Sequence, residues 1–429
     1  MKDIATYALD KLTKLGADKA SVKITSGRKD EFNVEASTFS LMRTLFEDAL
    51  NLKAIIGGKK GTIAVNKLDM DSVDKAVEEC ITMANSATPD PAEDIAPLVE
   101  NKSFSRTIGG ADMGKLFSRS KEILEDVKRE YPNISLDLMT LYQEEKTIYL
   151  NSNGVEFTDE AEGYYVQTLF TAKEGEAASS MNYYGMTLDS LDKPFLDLGM
   201  TRTLIDEASR SIKTRMVDDK FVGKIIVTPG CDDMIWYTIF SCFLSFGSIL
   251  EGTSRWKDSL GKQVADKKLT MSAVPLNPKV IGGERFTDDG FISRDFDYIK
   301  DGVLKSFALP LYAANKTGHP RAENTAYFNL EVAAGDVALQ DMIKGIDKGL
   351  LINRFSGGMP GPSGDVSGVA KNSFLIENGK ITDAVSETMV SFNVIDILQN
   401  IPAISRERVE TGSTIVPWCC FDGVTVSGK

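Results

Sequence analysis

Apolar and polar positions alternate along this chain with two different periods. Ile4, Ala5, Ala8, Leu9 and Leu12 fall on one face of a 3.6-residue repeat, so the chain is predicted to open with an amphipathic helix, stopped at Gly16. The period then shortens to two. The stretches SVKITSG, EFNVEAS, SLMRTLF, NLKAIIGG and GTIAV between Ala20 and Ala64 read as half-buried antiparallel strands. From Ser72 a helical face returns with Val73, Ala76, Val77, Cys80, Ile81 and Ala84, which places Cys80 in a core. A Pro-rich acidic loop, SATPDPAEDIAP, follows, and then a helix from about Met113 to Glu130. Strands resume at Leu136, and Asn153-Gly154 marks a hairpin among them. A helix near Thr203 to Ile212 and a strand Lys224 to Thr228 lead to Pro229-Gly230. The next segment, Met234 to Leu250, has no charge at all and is expected to form one long buried helix. Asp301-Gly302, Asn378-Gly379 and Asp422-Gly423 mark later hairpins. Helices and strands succeed each other without βαβ regularity, which predicts an α+β protein with largely antiparallel sheets and flanking helices. Two domains are expected: residues 1–220, an N-terminal α+β domain, and residues 221–429, a β-rich C-terminal domain holding the buried helix.

Charge narrows the range of functions. The 429 residues carry 49 basic and 62 acidic side chains, a formal net charge of −13, which argues against nucleic acid as a ligand. The uncharged segment is short for a membrane span and contains Thr238, Ser241, Cys242, Ser245 and Ser248, so no membrane association is expected. The opening helix has acidic residues and lacks the apolar core of a signal peptide; five irregularly spaced cysteines give no disulfide framework. A cytoplasmic location follows as the expectation.

Few local motifs carry chemistry. Gly109 to Lys115 imitates a phosphate loop, but Leu116 stands where a magnesium-binding hydroxyl belongs. Ser118-x-x-Lys121 and Lys316-Thr-Gly318 pair as in penicillin-binding enzymes, without the intervening S-D-N. No G-x-S-x-G elbow occurs. His319 is the sole histidine, set in a loop beside Gly318 and Pro320, so any catalytic triad would have to use it. Cys419 and Cys420 are adjacent and would point to opposite faces of a strand. The Gly-rich stretch Ser356 to Gly368 has neither a dinucleotide fingerprint nor a following helix. It reads as a strand connection, or as a loop whose bare backbone approaches a peptide or a partner chain.

Several long stretches together resemble one family. RDFDYIKDGVLKSFALPLYAANKTGHP, GMPGPSGDVSGVAKNSFLIENGKITDAVSETMVS, and ETGSTIVPW with FDGVTVSG are similar to the TldD/PmbA family, as are GADKASVKI and the helix after GGKKGTIAVN. That family comprises modulators of DNA gyrase and paired-subunit peptidases, in which a TldD chain works with a TldE (PmbA) chain. The resemblance implies a cytoplasmic zinc peptidase that trims leader peptides or degrades small unfolded polypeptides. TldD-type chains carry H-E-x-x-x-H on a helix, with a cysteine nearer the C-terminus as third zinc ligand. Here the corresponding helix reads TIFSCF, from Thr238 through Cys242 to Phe243, and the cysteine falls at Thr411. This is the pattern of the TldE/PmbA-type subunit. No cofactor is expected in the chain itself, with zinc held by a TldD-like partner. The partners implied are that subunit or a second copy, and an unfolded peptide. His319, Asn324, Gly357, Gly358, Gly361 and Gly364 are the candidate peptide or partner contacts. A non-catalytic homodimeric binding or regulatory protein, and an autonomous hydrolase with an unrecognised nucleophile, are the alternatives.

Overall fold

A computed structural model of the chain describes residues 1–97, 101–358, 360–386 and 388–428, without the side chains of residues 232 and 233. Met359, within the Gly-rich stretch, thus lies outside the described residues. The first sheet runs in the order Lys59–Val65, Thr38–Ile56, Lys19–Glu35, Ile134–Asn151, Glu156–Glu174, Lys102–Arg106, with Asn182–Leu188 also pairing Glu156–Glu174. All neighbours are antiparallel except Lys102–Arg106, which runs parallel to its partner. The alternation seen in the sequence is therefore real. Several short predicted strands merge into long ones: Thr38–Ile56 has 19 residues and Lys19–Glu35 has 17.

Helices cover one face of this sheet at both ends. Lys2–Lys14 and Met70–Ser86 pack on Val22, Ile24, Leu50 and Leu52. Cys80 is buried there, as its helical spacing requires. Met113–Glu130 and Thr201–Arg210 pack on Phe32, Leu136, Tyr142 and Phe170. Two of these helices start on aspartate caps: Asp69 accepts from the Ser72 amide at 3.0 Å and Asp112 from the Lys115 amide at 2.8 Å. The imitation phosphate loop is thus the approach to an ordinary capped helix.

The second sheet is mixed, and Ile415–Ser427 is its centre. That strand pairs antiparallel with Phe221–Val227, Thr388–Asn393 and Ala403–Glu410, and parallel with Leu330–Val332. Two predicted hairpins form as two-residue turns. Asp301 and Gly302 have φ of 49° and 74°, and Asn378 and Gly379 have 51° and 73°, the left-handed pair that a type I′ turn demands. Asp422-Gly423 differs. It lies inside Ile415–Ser427, where the register against Phe221–Val227 shifts between Gly223 and Ile225, so the same left-handed glycine makes a bulge.

The uncharged segment also differs from the single helix expected. It folds as a 3₁₀ turn Pro229–Met234, a short α-helix Trp236–Ile239, a π turn Phe240–Leu244 and a last helix Phe246–Leu250. Ser245 breaks it with extended torsions, φ −65° and ψ 149°, and its hydroxyl accepts from the Ser248 amide as a new N-cap. A run of serines offers such local alternatives to the helix, which apolar periodicity does not reveal. Most of the segment is nevertheless buried, with Trp236, Ile239, Phe243 and Leu244 all in the main core of the second sheet.

The two sheets touch through aromatic rings. Phe286, from a loop of the C-terminal half, sits 5.3 Å from Phe157 and 6.2 Å from Tyr149 and Phe104. Lys23 and Asp288 pair at 2.5 Å beside them. Among the described residues no helix is long and apolar enough to cross a membrane.

Candidate cleft between the two sheets

A cleft of about 380 Å³ opens where the edge of the first sheet meets the broken helix. Its walls are Tyr183, Tyr184 and Gly185 from the edge strand, Pro229, Gly230 and Tyr237 from the helical segment, Tyr327 and Phe328, and the turn Thr411 to Thr414. Aromatic rings line one side in sequence. Tyr237 meets Tyr327 edge-on at 5.3 Å, Tyr327 meets Phe240 at 5.4 Å, and Phe328 stands 5.7 Å from Tyr327. Phe328 is 70% exposed, unusual for so apolar a side chain.

The opposite side is backbone. The Thr187 amide donates to the Thr411 carbonyl at 2.8 Å, away from the strand that Asn182–Leu188 pairs with. Residues of alternate parity in an antiparallel ladder bond in opposite directions. Gly185, two residues on, therefore turns its own N–H and C=O toward the cleft. The turn that receives Thr187 is held locally: the Thr411 hydroxyl accepts from the Thr414 amide at 3.0 Å, and Gly412 adopts φ 81°. A side chain at Gly412 would run into the Thr187 carbonyl, so only glycine permits this approach. The cleft thus presents a strand edge facing a row of rings, a geometry suited to an extended chain.

The positions singled out in the sequence divide into groups. Thr411 lines the cleft. Thr238 is buried next to Tyr237, its hydroxyl donating to the Met234 carbonyl at 3.1 Å. Cys242 and Phe243 lie under the Gly-rich stretch: the Cys242 thiol donates to the Pro360 carbonyl at 3.4 Å, and Phe243 packs 4.7 Å from Trp256 while its ring closes on Gly364. Burial pushes the Cys242 thiol up, away from the thiolate a metal requires. A threonine committed to the backbone, a protonated thiol, a phenylalanine and a second threonine do not fit a zinc ion.

The Gly-rich stretch is a hairpin arm rather than a plain loop. Arg354–Gly357 pairs antiparallel with Asp365–Lys371, Gly357 opposite Gly368, and the Gly364 amide returns to the Gly361 carbonyl at 3.0 Å. Its glycines differ in kind. A Cβ at Gly357 would lie 2.5 Å from the Phe355 ring and 2.7 Å from the Ser367 carbonyl; at Gly358 and Gly361 it would meet nothing within 4 Å; Gly364 has φ 83°.

His319 and Asn324 do not line the cleft. His319 follows the helix Leu311–Thr317, past the left-handed Gly318, and leans edge-on to Phe307 at 5.1 Å. Asn324 is fully buried and donates to the Arg294 carbonyl at 3.2 Å. The wall residues Tyr183, Gly185, Tyr237, Tyr327 and Phe328 carry no motif. The only sequence signal was three adjacent rings or ring pairs, Tyr183-Tyr184, Trp236-Tyr237 and Tyr327-Phe328, in otherwise alternating segments.

Residues 222–428 match the model of the PmbA/TldA metallopeptidase C-terminal domain. Over the whole length, the chain is 21% identical to a metalloprotease PmbA homolog of Haemophilus influenzae across 454 residues, covering 100% of this chain and 96% of that protein. The chain belongs to the TldD/PmbA family. The metalloprotease PmbA of Escherichia coli O157:H7 is 30% identical over 178 residues, spanning 40% of this chain and 39% of that relative's length. Two solved structures share the fold of this TldD/PmbA chain. TldE from Thermococcus kodakarensis has a TM-score of 0.85 at 17% identity, covering 99% of this chain and all of that one. A protein described as a modulator of DNA gyrase, from Bacteroides thetaiotaomicron, has a TM-score of 0.87 at 23% identity, covering 100% and 99%.

Proposed function

We propose that this TldD/PmbA chain is the metal-free, TldE/PmbA-type subunit of a two-chain cytoplasmic peptidase that processes or degrades small unfolded peptides. The observation that carries the reading is the cleft at Gly185, where the edge-strand backbone faces Tyr237, Tyr327 and Phe328. An edge of this kind holds an extended peptide through its main chain, whatever its sequence, and the rings add side-chain contact. The chemistry at the positions aligned with zinc ligands supports assigning hydrolysis to another chain. Thr238, Cys242, Phe243 and Thr411 are spent on hydrogen bonds and packing, so a TldD-like partner would supply zinc and the activated water. This chain would align the peptide along the cleft.

The test is cleavage of an unfolded peptide followed by mass spectrometry, run on this chain, on a TldD-like chain from the same source, and on the mixture. The mixture should cleave in a chelator-sensitive manner while this chain alone is inactive. Phe328→Ala and Tyr237→Ala should weaken binding of a labelled peptide several-fold with little change in melting temperature. Cleavage by this chain alone that resists chelator and vanishes in His319→Ala would overturn the reading in favour of an autonomous hydrolase. A mixture no more active than its parts would favour the non-catalytic binding protein.

A further inference from the structure

Buried polar side chains tie the two walls of the cleft together from behind. Phe221–Val227 and Lys348–Ile352 run parallel, Val227 beside Ile352, and the residues that follow are Thr228 and Asn353. The Thr228 amide donates to the Ile352 carbonyl at 3.1 Å, and the Thr228 carbonyl accepts from the Cys231 amide at 2.9 Å. These bonds set the turn Pro229-Gly230 of one wall. That turn also rests on the helix Thr201–Arg210, since a Cβ at Gly230 would stand 3.4 Å from a Leu204 methyl. The other wall hangs from the same place. The Asn353 side-chain amide donates to the Asn372 carbonyl at 3.0 Å. The Asn372 side-chain amide in turn donates to the Ser180 and Met181 carbonyls, at 3.0 and 3.4 Å, just ahead of Tyr183. Arg354 also donates to the Met181 carbonyl, and its guanidinium lies 5.1 Å from the Tyr183 ring. Glu207 reaches this joint from the helix and accepts from the Asn353 side-chain amide at 2.7 Å.

Glu207, Asn353 and Asn372 are 9%, 1% and 4% exposed, and the Asn353 Oδ1 is buried with no hydrogen-bond partner among the described residues. A carboxylate can only accept hydrogen bonds, whereas a carboxyl has an O–H to give. We infer that Glu207 is a positioning residue for the cleft. As a carboxyl it makes a reciprocal pair with the Asn353 carboxamide, accepting at one oxygen and donating to Oδ1 from the other. That pair holds the two walls at the spacing an extended peptide needs, so the inference rests on the peptide reading of the cleft. Loss of the proton removes the donor and leaves a buried charge, and water must then enter the joint to solvate it. Burial keeps the proton on until about pH 8; on the same helix Arg210 opposes this and Asp206 supports it. The other charged groups around the helix are engaged elsewhere, Asp197 and Glu130 with Arg202, and Glu174 with Lys213. Tyr184, from the edge strand, has its hydroxyl beside Gly199.

Two measurements on the full chain test this between about pH 6 and 9, with circular dichroism checking that it stays folded. Binding of fluorescein-labelled casein, an unfolded chain, should weaken several-fold in the wild type as pH rises through about 8. Glu207→Gln, whose amide both accepts and donates as the carboxyl does, should match the wild type at the acid end and stay level. Hydrogen exchange reads the joint without any peptide. In residues 180–185 and 228–231 the wild type and Glu207→Gln should exchange equally at the acid end. At the alkaline end the wild type should exchange several-fold faster there, while the two chains stay equal in the helix Lys2–Lys14. A wild type whose affinity and exchange both track Glu207→Gln at every pH overturns the proposal. So does a difference in exchange spread evenly over the molecule, which reports stability alone. If casein binds at no pH, the peptide reading fails, and the exchange at these two segments decides by itself whether Glu207 sets the joint.

Discussion

Glu207 lies buried in the helix Thr201–Arg210, accepting a 2.7 Å hydrogen bond from the Asn353 side chain of the second sheet. Burial pushes its carboxyl up to about 8, against the 4.5 of an exposed glutamate. The native state therefore keeps a proton that the unfolded chain has already lost over that window. Stability is full below pH 4.5 and declines as pH rises toward 8, by on the order of 4 kcal/mol from this group. Glu284, raised to about 7 by burial and bonded to Ser293, adds to the same slope. Glu207→Gln keeps an acceptor for Asn353 without the charge. Urea midpoints from pH 5 to 8 should fall steeply for the wild type and more gently for the variant. None of this was legible in the sequence, where Glu207 sits among the charges of IDEASR; burial of one glutamate is decided by what docks on the helix.

At the scale of elements, legibility depended on how local the cause was. The type I′ turns at Asp301-Gly302 and Asn378-Gly379, and the burial of Cys80, follow from neighbouring residues and were readable. Asp422-Gly423 uses the same left-handed glycine, yet its role as a bulge is set by Phe221–Val227, far away in sequence. The break at Ser245 is a serine cap inside an apolar run, and the cleft joins residues from four segments with no shared motif. The Gly-rich arm shows the same split. Sequence marks Gly357 and Gly358 as equivalent, but valine at 357 would strike Phe355 and the Ser367 carbonyl, whereas 358 is open. Gly357→Val should cost at least about 2 kcal/mol in chemical denaturation. Gly358→Val should leave the midpoint nearly unchanged, and any effect it has on peptide cleavage by the two-chain mixture would report direct contact.

For the whole molecule, one joint between the two halves is the aromatic cluster of Phe286 with Tyr149, Phe157 and Phe104. Phe286→Ala should cost about 3 kcal/mol. Calorimetry should show one transition for the wild type and a lower, broader one for the variant, because the two halves then keep only the packing of Val409 and Trp418 on the first core. An unchanged transition in Phe286→Ala would place the coupling at Val409, Trp418 and the Thr187–Thr411 contact instead. The arrangement of the second sheet also bears on how the protein comes into being. Ile225 pairs with Phe421, a separation of 421 − 225 = 196 residues. At about 5–20 residues per second, a ribosome needs roughly 10–40 s to deliver that partner. Throughout that interval Phe221–Val227 and the uncharged segment behind it are outside the tunnel with no central strand to rest on, while the first sheet, complete by residue 188, can close. The nascent chain is therefore a folded platform trailing a sticky, unfinished half, and it is in these seconds, more than in the finished protein, that it needs a chaperone.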